Sequence, residues 1–244
     1  MTTVLPAISS LIMFAFVALV FERWVRSRRP ALLFWGVGLT MFGIASFAEV
    51  YSSFAWNDFV FRSWYAVGPL LNAAWIGLGT VYLLSRPRFA HSLFAILGVG
   101  SLIGLYGVMT LPIDGSGFVT SLPLSDQYQQ ILPDGAWVRL MTPLFNIFGL
   151  IALVGGAIYS AFLFWRKKTL LNRMWGNVLI ATGALVIAFA STLTRFGIGD
   201  YLYVGELVSA ALMFSGFLVA THRAPEGVST RNPTPAGAPT GGSE

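Results

Sequence analysis

The sequence predicts an all-α fold, a polytopic bundle of seven membrane-spanning helices, and three observations carry that reading. Hydrophobic residues make up 56% of the 244-residue chain and charged residues only 10%, with a mean hydropathy of +0.72. A soluble domain carries about 25% charge, so most of this surface is built to face lipid. Apolar runs of about 20 residues, the length that crosses a hydrocarbon core, recur along the chain. Basic residues gather in short clusters between alternate runs, a pattern that sets orientation in membrane proteins.

Each element has its own signal. Span 1 covers about Val4 to Phe21, and Met1-Thr2-Thr3 before it lacks the basic residues of a signal peptide, so the leader is expected to be retained. Arg23, Arg26, Arg28 and Arg29 come next, and Pro30 suits the first turn of span 2, about Ala31 to Phe54. A polar, aromatic turn at Trp56-Asn57-Asp58 leads to span 3, about Tyr65 to Leu84, closed by Arg86, Pro87 and Arg88. Span 4 covers about Phe89 to Leu111. Pro112 to Arg139 then reads as an aqueous loop with room for one short helix, carrying Asp114, Asp126, Asp134 and Gln129-Gln130. Span 5 covers about Pro143 to Trp165, span 6 about Met174 to Leu193 and span 7 about Tyr201 to Thr221. The Pro-, Gly-, Ser- and Thr-rich stretch from Ala224 to Glu244 is expected to be a disordered tail.

Charge sets the orientation. Twelve of the 15 Lys and Arg residues fall on one side of the alternating spans, leaving Arg62, Arg139 and Arg195 on the other. The basic side belongs in the cytoplasm, which puts the amino terminus outside, the carboxyl terminus inside, and the protein in the inner (plasma) membrane.

A motif in span 2 returns 140 residues later: Trp35, Gly36, Leu39, Gly43 and Ala48 match Trp175, Gly176, Leu179, Gly183 and Ala188. At an offset of 137, Val67, Gly68, Leu70, Ala73, Ala74, Gly79 and Arg86 match Val204, Gly205, Leu207, Ala210, Ala211, Gly216 and Arg223. Chance would supply roughly two matches in 20 positions at this composition. The chain therefore divides into a three-helix repeat (1–88), a linker helix (89–111), an extracytoplasmic loop (112–139), a second repeat in the same sense (140–223) and the tail (224–244). The recurring glycines and alanines suit close approach of helix backbones.

Two acids fall inside spans. Glu49 lies about 27 Å along span 2 and Glu206 about 8 Å into span 7, so both sit toward the outer face. Ionisable groups inside a span usually face the bundle interior or a water-filled cavity. The duplication does not reproduce them: Phe189 matches Glu49, and Pro69 matches Glu206. These observations suggest an outward-facing polar pocket of Glu49, Tyr51, Arg62, Tyr65, Arg195, Tyr203 and Glu206, with Asn72 and Ser209 as the next polar layer. The competing reading makes Glu49–Arg62 or Glu206–Arg195 ion pairs that fix helix ends.

Other functions are set aside by what the chain lacks. It has no cysteine, two histidines that fall near cytoplasmic ends (His91 and His222), and lysines only at Lys167 and Lys168. That removes thiolate chemistry, an intramembrane bis-histidine haem and a span-7 Schiff base. No nucleophile elbow or phosphate loop occurs, and Asp114-Gly-Ser-Gly and Pro133-Asp134-Gly135 suit turns. No catalytic residue, metal site or cofactor is expected, and the basic clusters serve orientation rather than nucleic acid. The expected partners are the bilayer and either a small-molecule ligand or another membrane protein.

The three-plus-one-plus-three plan with an external amino terminus resembles the SWEET sugar transporters across all seven spans. That family carries prolines in spans 1, 2, 5 and 6, whereas Pro6 and Pro143 here stand at span starts. The basic loop followed by Phe34-Trp35-x-x-Gly38-Leu39, with Glu49 beyond, is similar to the seven-helix sensor regions that precede bacterial histidine kinases. The first likeness implies translocation of a small solute and the second a sensor or accessory role. Neither transfers a site residue. Topology reporters fused after Arg29 and after Lys168 should read the same side of the membrane; opposite readings would break the parallel duplication.

Overall fold

The computed structural model describes residues 3–167, 171–195 and 201–221; the expected tail lies outside them. Within the described residues the chain is all-helical, with no strand. Helix α1 (Val4–Ser27) runs longer than the apolar stretch alone implies, carrying Arg23 and Arg26 on its last turns. It stops where Arg28 takes a left-handed conformation (φ 53°) and returns its N–H to the Trp24 carbonyl. Arg29 is extended, as the residue before a proline must be, and Pro30 opens α2 (Pro30–Ser52). Proline fits there because the first helical N–H has no acceptor in any case.

Span 3 is the largest departure from the sequence reading. It is a bent pair, α3 (Asp58–Tyr65) and α4 (Asn72–Leu84), separated by a π-helical turn at Ala66–Leu70 and inclined by 41°. Asn57 caps α3, its side-chain oxygen accepting the Phe59 and Val60 N–H groups at 2.9 and 3.1 Å. Pro69 lies inside the turn and has no N–H to give, so the ladder widens and Leu71 donates to the Ala66 carbonyl instead. Asparagines hold the break from both sides. Asn146 donates to the Pro69 carbonyl at 3.0 Å, and Asn72 donates to the Gly38 carbonyl of α2 at 3.2 Å.

Then come α5 (Pro87–Thr110), a short α6 (Leu124–Ile131), and α7 (Val138–Leu150), which continues through a second π-helical turn at Ile151–Gly155 into α8 (Gly156–Lys167). Helices α9 (Leu171–Arg195) and α10 (Leu202–Thr221) follow. Among the described residues six helices are long and apolar enough to cross a membrane, or seven with the bent pair counted as one. This is a multi-pass membrane protein.

The spans close a ring. α1 packs on α2, α2 on α4, α4 on α7, α8 on α9, α9 on α10, and α10 back on α1, while α5 lies outside against α3, α4 and α7. Two apolar clusters fill the ring. At the basic end Met13, Phe16, Leu39, Phe42, Ile76, Leu153, Met213 and Phe217 meet around an apolar cavity of ≈ 40 Å³. At the other end Phe61, Trp64, Tyr65, Leu70 and Val138 pack with Leu124, Ile131 and Leu132.

That second cluster changes the character of the loop. Residues 112–137 are not an aqueous connection throughout but a folded lid over the bundle, with Leu124, Ser125, Gln127, Ile131 and Leu132 buried. Gln127 organises it. Its amide accepts the Val119 N–H at 2.7 Å and donates to the carbonyls of Val119, Leu122 and Pro123. Asp114 donates its N–H to the Ile131 carbonyl at 3.0 Å, and Gly135 (φ 73°) turns the chain into α7.

Close approach of α4 and α7 depends on Gly149, where a Cβ would run into the Ala73 carbonyl and the Ala74 amide. Gly149→Val should therefore cost ~1–3 kcal/mol by overpacking, measured by unfolding in detergent. Gly98→Ala on α5, where a Cβ meets nothing, should change stability by less than ~1 kcal/mol.

Candidate functional site

The lid, α2 and α10 converge on one carboxylate. Glu49 stands in the last turn of α2 and is 2% exposed. Its Oε2 accepts the Tyr203 hydroxyl of α10 at 2.7 Å and the Leu124 N–H, the first amide of α6, at 3.2 Å. A carboxylate at the carboxyl end of its own helix faces the negative end of that dipole, and the amino ends of α6 and α10 offset it. The Trp64 side chain of α3 approaches the carboxyl without closing a hydrogen bond on Oε1, which has no partner. Neither has the buried Ser125 Oγ on the same turn of α6 as Leu124.

Glu206 joins from the second turn of α10. Ser46, one turn below Glu49 on α2 and fully buried, donates to Glu206 Oε2 at 3.5 Å, a long and weak bond. The two carboxylates are near enough to act on each other electrostatically. Among the described residues the one ion pair is Arg26 with Glu22, at the surface of α1. The pair thus sits in a dry, crowded place where a negative charge is costly without a compensating positive one.

The remaining expected residues have other tasks. Arg62 does not meet Glu49; its guanidinium donates to the Val108 carbonyl at 2.5 Å and so caps the last turn of α5. Tyr51 is 38% exposed on the lipid side of α2. Tyr65 is buried and its hydroxyl bonds Thr142 at 3.1 Å. Asn72 is spent on the Gly38 carbonyl, and buried Ser209 turns to the Met213 sulfur on its own helix at 3.7 Å. The Arg195 side chain lies outside the described residues. Of the nine residues, Glu49, Tyr203 and Glu206 come together.

Three contributors were not picked out from the residue types. Ser46 lies three residues before Glu49 and so on the same helix face, a signal that was available. The Leu124 amide carries none, because every residue except proline has one. Gln127 stands in a polar stretch where nothing marks it as buried.

The donors decide what the arrangement can hold. Carboxylate, hydroxyl and serine oxygens suit a hard cation. Among the described residues no three acidic or histidine side chains gather closely enough for a metal ion, so a pair of carboxylates suits a proton or a singly charged cation. Asp114 is occupied otherwise: its Oδ1 accepts the Ser116 N–H at 2.9 Å, and that bond holds its carboxyl below the usual range. His91 Nδ1 lies 2.7 Å from the Tyr82 hydroxyl, at the basic end; His222 is outside the described residues.

No protein-family model matches the chain, and no curated protein or solved structure matches it significantly. The geometry of the acid pair is therefore the guide to function. Tyr203→Phe removes a hydrogen bond to a buried acceptor and should lower stability by ~1–3 kcal/mol, measured by thermal unfolding, with the helical content unchanged.

Proposed function

We propose that this is a seven-span inner-membrane protein, amino terminus outside, that binds a small singly charged cation or a proton at the Glu49–Glu206 pair beneath an external lid. The observation that carries the reading is Glu49 itself: buried, with both donors on one oxygen and none on the other. A side chain whose only role was packing would be more stable as an apolar residue of similar volume. Ionisable groups within spans are rare, and ion paths and proton relays are among the places they mark.

Counting α3 and α4 as one span gives the seven, and the distribution of Lys and Arg supports the orientation. The duplication has partial support in the packing. Gly68 meets Ala45 of α2, as Gly205 meets Ala190 of α9. Gly79 meets Trp35 and the Ala31 carbonyl of α2, as Gly216 meets Ile180 and the Gly176 carbonyl of α9. The offset-137 glycines thus keep their partner helix. The offset-140 glycines do not: Gly36 and Gly43 face Phe21 and Phe14 of α1, while Gly176 and Gly183 face Ala220 and Met213 of α10.

Binding is better supported than passage of a bulky solute. The ring below the acids is filled with apolar side chains, and its cavity of ≈ 40 Å³ has no polar lining. A second reading, an accessory or sensor subunit docking another membrane protein, is favoured by one feature. A concave apolar groove of ≈ 600 Å³ opens between α9 and α10, lined by Leu185, Phe189, Tyr201, Val204 and Val208 among others.

Infrared difference spectra of the protein in nanodiscs, triggered by a pH step or by adding sodium, test the first reading. They should contain carboxyl bands that Glu49→Gln and Glu206→Gln each remove, with unfolding temperature unchanged or raised. Spectra that are silent in the wild type, with stability simply lost in both variants, would leave the acids as packing and favour the accessory reading.

A further inference from the structure

The lid is the part of the molecule whose position decides whether water reaches Glu49. It is internally braced through Gln127 and the Asp114–Ile131 bond, so it is a unit that can dock or lift as a whole. Docking seats Leu124 and Ile131 in the apolar cluster with Trp64 and Tyr65 and brings the Leu124 N–H onto Glu49. With the lid docked, Glu49 Oε1 and Ser125 Oγ are buried without a hydrogen bond. The titratable groups facing Glu49 are Tyr203 and Glu206 from α10 and Asp126 from the lid. Arg62 of α3 is turned to Val108.

Those contacts pull in opposite directions. The Leu124 N–H and the amino end of α6 favour a charged Glu49. Removal of water, an orphaned oxygen and two further acids oppose it. Two donor bonds, from the Tyr203 hydroxyl at 2.7 Å and the Leu124 N–H at 3.2 Å, both fall on Oε2, and hydrogen bonds without a positive partner only partly offset the desolvation of a carboxylate. A docked lid is therefore compatible with a neutralised pair and strained by an ionised one.

We propose that cation uptake and lid closure are a single coupled event: a proton or singly charged cation at Glu49–Glu206 lets the 112–137 lid dock, and its loss lifts the lid and readmits water. The inference rests on the reading of the acid pair as a cation site, and it adds the way that site is gated. The bound cation supplies the positive partner that Glu49 Oε1 lacks, and Ser125 Oγ is an oxygen on the lid's inner face available to share it. By reciprocity, whatever holds the lid down tightens the site by the same factor. Neutralisation by substitution should mimic occupancy, because a glutamine at position 49 still accepts from the Leu124 N–H and can donate from the other end of its amide.

The chain contains no cysteine, so a single thiol reports without background. Ile131→Cys puts a thiol on the buried face of α6 and leaves Ser125 in place, and Gln129→Cys puts one on the exposed face of the same helix. Labelling by a charged methanethiosulfonate reagent is read as the ratio of the two rates, which cancels the intrinsic effect of pH on thiols. In choline buffer the ratio should rise by about tenfold or more from acid to alkaline pH, the size of an ordinary coupling between sites. Sodium or potassium added at alkaline pH lowers it again if a metal cation is the ligand and leaves it high if the ligand is the proton. In the Glu49→Gln background the ratio should stay low at every pH. Hydrogen exchange of the Leu124–Ile131 amides in the unsubstituted protein, read as protection relative to the intrinsic rate at each pH, gives the same readout without a thiol. A ratio and a protection that ignore pH and cation while the Glu49 carboxyl bands respond would overturn the coupling and leave the cation site standing. Silent bands would remove both.

Discussion

A carboxylate that is buried, half-satisfied and shared by three segments of chain is the constraint on which this structure turns. Glu49 belongs to α2, takes a hydroxyl from α10 and an amide from α6. Removing any one of the three leaves the other two with a buried polar group out of balance, which is the costly half of the hydrogen-bond asymmetry. The lid therefore does more than cover apolar surface. Its apolar residues supply most of the docking energy, by the usual area rule, while the polar contact fixes where the first turn of α6 comes down.

That placement depends in turn on the break in span 3. An unbroken helix from Asp58 to Leu84 would keep one axis. The 41° bend redirects α3, and Phe61, Trp64 and Tyr65 then share a cluster with Leu124, Ile131 and Leu132. Proline alone explains a missing bond but not a stable bend. Stability comes from the neighbours: Asn146 satisfies the freed Pro69 carbonyl, Asn72 ties the start of α4 to α2, and Gly149 lets α7 lie against Ala73 at the level of the break. A second π-helical turn at Ile151–Gly155 comes directly after it on the facing helix. The break at Ala66–Leu70 is covered by protein, with Ala66 and Leu70 buried, and irregular backbone is tolerated where protein encloses it.

Much of this was legible from residues because lipid is an unforgiving solvent. Runs near 20 apolar residues can be little else, so the spans emerged with errors mainly at their ends, as when α1 continued through Arg23 and Arg26 with long side chains able to reach the interface. Acids within such runs are rare enough that Glu49 and Glu206 stand out, and the two lie near enough to interact. The same logic misplaced Arg62. Its place in the same outer layer as Glu49 suggested a shared pocket or an ion pair, whereas the unsatisfied carbonyls at the end of α5 offered a closer acceptor. The folded lid was the least legible part. Its docking depends on a backbone amide and on an ordinary-looking glutamine whose partners all lie within eight residues, so no periodicity announces it.

The departure from internal symmetry is where function and fold separate. On the proposed duplication, the residue matching Glu49 is Phe189, 67% exposed on the wall of the α9–α10 groove, against 2% for Glu49. The residue matching Glu206 is Pro69, inside the π-helical turn. One half thus spends its position on a bend where the other spends it on a charge, and α10 runs as one unbroken helix through Glu206 while its counterpart breaks. On that duplication, a second copy of the first half would repeat both its acid and its bend, and a second copy of the other half would put phenylalanine at position 49. Unlike halves are thus what lets an acid from α2 and an acid from α10 lie near one another beneath a tilted α3.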